Sequence, residues 1–170
     1  MSKVDVTQWK YFTIENLFDV VKGTRLTKAK MKDGDVRFIG ASSVNNGVTA
    51  TISNAERLHP ANTITITYNG SVGEAFYQDK VFWASDDVNV LYPKFEMNRY
   101  IALFLIPLIK AMGRKYAFID KWKKEVMEKD ALLLPVDKTG VPDFAYMETY
   151  MQNLEFTVTS SLTALRSLLH

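Results

Sequence analysis

The 170-residue chain has no cysteine and only two histidines, His59 and His170. The first absence excludes disulfide stapling and thiolate metal sites, and it fits a reducing compartment, so a cytoplasmic protein is expected. With so few histidines, a multi-histidine zinc site is excluded as well. Long apolar runs are also missing. The longest, "YIALFLIPLI" over residues 100–109, is about half of what a bilayer requires, and it stops at Lys110. The opening "MSKVDVTQWKYF" lacks an apolar core and a small-residue cleavage site, so no signal peptide and no membrane partner are expected. No sign of charge dominates, because 21 lysines and arginines face 19 aspartates and glutamates. A near-balanced chain is informative only through where its charges lie.

Catalytic signatures are absent too. The sequence has no G-x-x-x-x-G-K-[ST] phosphate loop, no G-x-G-x-x-G, no G-x-S-x-G elbow and no H-E-x-x-H. His59 sits in the turn-like "RLHPAN" and is expected on the surface. Asp86 and Asp87 are adjacent, and neighbours in a strand point to opposite faces, so they are expected to shape a turn and not to hold a metal. No catalytic residue, no metal and no cofactor is assigned.

What is present is 47% hydrophobic residues in a pattern that changes along the chain, enough for one compact domain. In "TIENLFDVVKG", Ile14, Leu17, Phe18 and Val21 fall at helical spacing, with Thr13 as cap and Gly23 as stop. Over residues 36–93 the period becomes two, in "VRFIG", "VTATIS", "TITITY", "EAFYQ", "VFWAS" and "DVNVLYP". The separators "VNNG", "HPAN", "YNGSVG" and "SDD" carry turn chemistry. These segments predict an antiparallel or mixed sheet of five or six strands. A helix follows at "NRYIALFLIPLIKAMG", capped by Asn98, ended by Gly113, and kinked or broken at Pro107. "IDKWKKEVMEKD" reads as a short amphipathic segment, "LLLPV" as a buried strand or extended crossing, and "DKTG" as a turn.

The last segment differs in character. Phe144, Met147, Met151, Leu154, Val158, Leu162, Leu165 and Leu169 repeat at steps of three and four, a heptad seam with one stutter. With Pro142 in its first turn and no later glycine or proline, it predicts a helix of roughly 40 Å that projects and finds a partner. The fold class is therefore α+β: a mixed-sheet domain with flanking helices over residues 1–140, then a coiled-coil helix over 141–170.

Positive charge gathers in two segments. "KGTRLTKAKMKDGDVR" carries Lys22, Arg25, Lys28, Lys30, Lys32 and Arg37, and "KAMGRKYAFIDKWKKEVMEK" carries Lys110, Arg114, Lys115, Lys121, Lys123, Lys124 and Lys129. Together they hold more than half of all the basic residues. Ser42, Ser43, Asn45, Asn46, Tyr68, Asn69 and Ser71 accompany them in turns, where such side chains hold phosphates or read base edges. The candidate DNA-binding set is therefore Lys22, Arg25, Lys28, Lys30, Lys32, Ser42, Ser43, Asn45, Asn46, Tyr68, Asn69, Ser71, Arg114, Lys115, Lys121 and Lys123. Gly70 and Gly73 of "YNGSVGEAF" are expected to serve a tight turn between strands and not a phosphate cradle, since Glu74 follows them directly.

The ordered series "WKYFTIENLFDVVKGTRLTKAKM", "IGASSVNNGVT", "NGSVGEAF" and "LLLPVDKTGVPDFAYMETYM" resembles the target recognition domain of type I restriction-modification specificity subunits, a family of bacterial defence systems. The resemblance implies sequence-specific binding of double-stranded DNA without catalysis. It also implies that the terminal helix pairs with a second such helix, and that modification subunits carrying S-adenosylmethionine, and a restriction subunit, are the catalytic partners. A full subunit has two recognition domains and two helices where this chain has one of each. The resemblance is therefore to a half subunit, and a homodimer through Phe144, Met147, Met151, Leu154, Val158, Leu162, Leu165 and Leu169 would restore the pair. Two other readings stay open at this point: a small metal-dependent nuclease built on Asp86, Asp87 and Glu74, and a protein-interaction module acting through the arm.

Overall fold

The computed structural model describes residues 4–116 and 121–167. Nine strands and four helices follow in order: β1 (Lys10–Thr13), α1 (Ile14–Leu17), β2 (Phe18–Lys22), β3 (Val36–Ile39), β4 (Val48–Ile52), β5 (Thr63–Thr67), β6 (Ala75–Gln78), β7 (Phe82–Ala84), β8 (Val88–Pro93), α2 (Arg99–Gly113), α3 (Lys124–Met127), β9 (Ala131–Leu134) and α4 (Phe144–Ser167). Single 3-10 turns add Lys28–Lys30 and Asn45–Gly47. The α+β class with a long terminal helix is as expected. All six expected strand segments form, but they divide between two sheets. One is antiparallel in the order β2-β8-β5-β6, the other is ordered β4-β3-β7 with β3 and β7 parallel, and a third pairs β1 with β9.

The main core lies between the antiparallel sheet and α2. Ile64, Ile66, Val20 and Leu91 of the sheet meet Ile101, Ala102, Leu105 and Ile109 of the helix, closed off by Trp122, Met127 and Leu134. A second cluster joins Val88 and Val90 to Ile39, Phe82 and Ala84, and a third gathers Phe38, Ile52 and Trp83. Strand β8 thus serves two cores, with Val88 and Val90 on one face and Leu91 on the other.

Four expectations need correction. The helix expected over residues 13–23 is only one turn long, because the chain pairs antiparallel with β8 from Phe18 onward. Phe18 and Val20 are buried on alternate positions, so a period of two, secured by the partner strand, overrides the helical spacing. Gly23 is consequently not a helix stop. A Cβ there would lie 2.0 Å from the Ser85 carbonyl oxygen, so glycine permits close strand approach. His59 is not on the surface but 6% exposed, stacked on Phe82 with its Nδ1 2.9 Å from the Tyr92 hydroxyl. Burial lowers its pKa from the ordinary value. Finally, Phe144 and Met147 do not belong to an intermolecular seam. Met147 is fully buried in the main core, and Phe144 stacks on Phe95 at 3.9 Å. Leu169 of that seam lies outside the described residues, as do Ile119 and Asp120 of the short amphipathic segment.

Helix α2 starts as expected, with Asn98 Oδ1 accepting from the Tyr100 and Ile101 amides at 3.0 Å, and it continues through Pro107 without a break. It ends at Gly113 for a steric reason. A Cβ on Gly113 would lie 2.7 Å from Gly73 Cα and 3.1 Å from the Trp122 ring, so the helix end and the β5–β6 turn touch backbone to backbone. Both Gly70 and Gly73 adopt positive φ, 76° and 83°, in that turn. Helix propensity alone favours Gly113→Ala by about 1 kcal/mol. The contact with Gly73 reverses the sign, and the variant should lose about 1–3 kcal/mol in urea unfolding. A gain in stability would show that the contact tolerates a methyl group.

Candidate nucleic-acid interface

The basic segment that follows β2 is fastened at both ends and in the middle. The Gly23 amide donates to the Val88 carbonyl, the Thr24 amide to that of Ala84, and the Trp83 indole to the Thr24 carbonyl at 2.8 Å. Further on, the buried Asn54 accepts from the Lys32 amide at 2.9 Å and donates to the Lys30 carbonyl at 3.2 Å. Leu26 and Met31 pack on Phe38 and Trp83. Leu26 and Met31 of "RLTKAKMK" therefore turn inward, while Arg25, Lys28, Lys30 and Lys32 are exposed on a fixed loop. Lys22 is exposed at the end of β2.

Beside this loop opens a cleft of about 650 Å³ lined by three regions of the chain: residues 25–28 and Met31, then Phe38, Gly40, Ala41 and Thr49, then Asn69 and residues 85–87. The turns bearing Ala41 and Gly70 lie against each other, since a Cβ on Gly70 would be 3.2 Å from that of Ala41. Of the residues expected to contact DNA, Arg25, Lys28 and Asn69 thus share one cleft. Tyr68 donates to the Asp86 carbonyl, and Asn69 donates to Asp87 Oδ1 at 2.6 Å. Burial first, and then Asp87 and Asp86, raise the Tyr68 pKa, so its hydroxyl remains a donor. Asp86 and Asp87 do shape a turn. Arg25 reaches Asp86 at 3.5 Å with both side chains largely exposed, a loose pair worth about 0–1 kcal/mol.

Other candidates are committed elsewhere. Asn46, at φ 54°, donates to the Tyr77 carbonyl and to Gln78 Oε1, and Gln78 in turn bonds the Asn46 carbonyl and Thr65. It braces the loop from within. Ser42 exchanges hydrogen bonds with Val44, and Asn45 donates to the Val48 carbonyl, which leaves Ser43 and Asn45 exposed on the loop. Ser71 is half-buried beside Gly70, with its carbonyl accepting from the Thr67 hydroxyl. Lys115 pairs with Asp130, which also accepts from the Tyr116 hydroxyl and the Trp122 indole at 2.7 Å each. That carboxylate raises the Lys115 pKa. Arg114 and Lys123 are exposed and Lys121 half-buried, and none of this second basic group lines the cleft. Glu74 pairs with Lys110 at 2.7 Å, so the three carboxylates of the nuclease reading do not converge. No group of three or more metal-ligating side chains occurs among the described residues, and none of their helices is long and apolar enough to cross a membrane.

Sequence reasoning missed Asn54, Ser85 and the cleft-facing role of Asp87. Asn54 carried no signal, because its partners lie more than twenty residues away. The separator "SDD" was visible, but which turns it would meet was not.

Comparison with known proteins places these features in context. A family model described as the type I restriction modification DNA specificity domain matches residues 7–164. A specificity subunit, S.BcgI, of a type II restriction enzyme from Heyndrickxia coagulans is 37% identical over 156 residues, 91% of this chain and 46% of the relative. The S subunit of a type I restriction-modification system from M. genitalium matches with a TM-score of 0.63 at 16% identity, over 95% of this chain and 44% of its own. The HsdS subunit from Thermoanaerobacter tengcongensis matches with a TM-score of 0.65 at 12% identity, over 96% and 41% respectively. This chain spans about half the length of each of these relatives.

Because Asn54 alone ties Lys30 and Lys32 to the sheet by side-chain bonds, Asn54→Ala should cost about 1–3 kcal/mol and speed amide exchange at Lys32. Exchange in β8 should be unaffected beyond the global loss. Equal protection at Lys32 in both proteins would mean that Leu26, Met31 and the bond from the Ser53 amide to the Lys32 carbonyl suffice to hold the loop.

Proposed function

The chain belongs to the type I restriction modification DNA specificity domain family, and from that premise we propose that it recognises one half of a bipartite duplex site without catalysing a reaction. The observation that carries the proposal is the convergence of the fixed basic loop with the turns at residues 41, 69 and 85–87 around one cleft. Phosphate contacts from Lys22, Lys28, Lys30 and Lys32 would position the domain, and side chains on the turns would read bases. Ser43 and Asn45 are the exposed polar groups of the middle turn. Arg114 and Lys123, exposed, and Lys121, half-buried, lie outside the cleft and would suit a backbone contact further along the duplex.

Helix α4 supplies the second half of the proposal. Its beginning completes the main core, and Glu155 is tied to Tyr100 at 2.8 Å and Arg99 at 3.0 Å. Beyond Glu155 every described residue is exposed, including Phe156, Val158, Leu162 and Leu165. An apolar seam in that position fits a second copy of the chain. Symmetry would then require a palindromic, interrupted DNA site. Methylation would reside in modification subunits that bind S-adenosylmethionine, and cleavage in a restriction subunit, both docked on this scaffold.

Lys28→Ala should weaken binding to any duplex alike and lower the salt slope of log K by about 0.9, the loss of one phosphate contact. An unchanged slope in a salt titration would remove Lys28 from the interface. For the arm, Leu162→Glu with Leu165→Glu alters only exposed residues and spares the core. The double variant should sediment as a monomer where the wild type sediments as a dimer. A dimer that persists would place the contact elsewhere.

A further inference from the structure

The cleft beside the basic loop contains more acceptors than a phosphate site tolerates. The hydroxyl of Ser85, a residue 8% exposed, and the Oδ1 of Asn69 are buried without a hydrogen-bond partner, and both residues line the cleft. Asp87 uses Oδ1 to accept from Asn69, and its Oδ2 has no partner among the described residues. One of the two Asn69 amide N–H groups is spent on Asp87 and its Oδ1 is buried, so Asn69 does not present the donor-and-acceptor pair that matches adenine N6 and N7. What lines the cleft is therefore a group of oxygens around Asp87, with the cationic donors Arg25 and Lys28 beside it. Of the two, only Arg25 carries a planar fork, and its side chain is 76% exposed and makes a long contact to Asp86.

Two buried oxygens without partners among the described residues form an unusual floor, since a buried polar group left unsatisfied is destabilising. A donor entering from the cleft would relieve that cost. In the major groove the only base donors are the amino groups of cytosine N4 and adenine N6. Adenine places the N7 acceptor beside its donor, so a carboxylate set against it meets repulsion as well as attraction. Cytosine presents its amino group without a neighbouring acceptor, and its partner guanine offers O6 and N7, the pair that an arginine fork matches.

On the reading that this face meets duplex DNA, we propose that the cleft recognises one C·G base pair, with Asp87 accepting from the cytosine amino group and Arg25 donating to guanine O6 and N7. Ser85 and Asn69 provide the polar floor behind Asp87. Arg25 thereby reads a base where the neighbouring lysines hold phosphates, and Asp87 becomes a specificity determinant.

The test is selection of bound duplexes from a random pool by the full chain, with Arg25→Gln and Asp87→Asn beside it. The wild type should enrich C·G at one position of the half-site. Arg25→Gln should reduce that enrichment on the order of tenfold and leave the other positions alone. Asp87→Asn keeps an oxygen to accept from Asn69 but turns the free oxygen into a donor. It should therefore abolish the preference for cytosine at that position, since guanine, adenine and thymine each present a major-groove acceptor and cytosine does not. Arg25 is too exposed for its loss to unfold the chain, so a misfolded Asp87→Asn still leaves one informative variant. An unchanged profile in Arg25→Gln, or enrichment of an A·T pair at that position by the wild-type chain, overturns the assignment while leaving DNA recognition intact. If the wild-type chain retains no duplex at low salt, the DNA reading itself fails, and this assignment with it.

Discussion

Strand β8 is buried on both faces, and the placement of everything else follows from that. Val88 and Val90 point into the cluster of Ile39, Phe82 and Ala84, while Leu91 points into the core under α2. A strand that must satisfy two cores cannot slip by one residue without exposing both. Its register against β2 and β5 is therefore fixed, and with it the turn at residues 85–87 that begins it. The same constraint reaches the basic loop, because Gly23 and Thr24 hydrogen-bond to the Val88 and Ala84 carbonyls. The floor and one wall of the cleft are thus set by a strand that packs into two cores.

The loops gain from this rigidity. Long cationic side chains lose rotamer freedom when they bind, and a mobile loop would add its own ordering cost. Here the loop backbone is ordered beforehand by Asn54, Trp83, Leu26 and Met31. The middle turn is braced by Asn46 and Gln78, and the β5–β6 turn by the close approach of Gly73 to Gly113. Polar residues that looked like readers in the sequence are in several places the struts of the readers' platform. Asn46 shows this most directly, with its amide spent on the Tyr77 carbonyl and its carbonyl on Gln78.

Much of the fold was legible because it is local. The strand segments over residues 36–93 alternate cleanly, and Asn98 capped its helix where expected. The failures were all long-range. Residues 18–22 satisfy a helical and an alternating pattern equally, and only β8 decides between them. His59 stands between proline and leucine like a surface turn residue, yet Phe82 and Tyr92 come from more than twenty positions away to enclose it. In the terminal segment the heptad steps mark an apolar stripe, but Phe144 and Met147 spend it on their own domain, and the step pattern cannot say which partner a given residue meets. The basic loop was visible from composition. The cleft was not, since it exists only where three distant turns meet.

Charge balance bears on how such a site would work. With a formal net charge of +2, the domain has little general attraction for a polyanion, and Asp86 and Asp87 within the cleft oppose phosphate directly. A single domain should therefore bind non-cognate duplex weakly, because carboxylates set against the wrong base pair meet acceptors and repulsion. Affinity would then come from joining two such domains. If α4 pairs with its counterpart, the second half-site is met at the effective concentration set by a stiff helix and not at the bulk concentration, and two modest interactions combine without any new contact. The rigidity of the arm would matter for the same reason. A helix fixes the spacing between half-sites, so a duplex with the right bases at the wrong separation would engage only one domain and keep only the weak affinity of one.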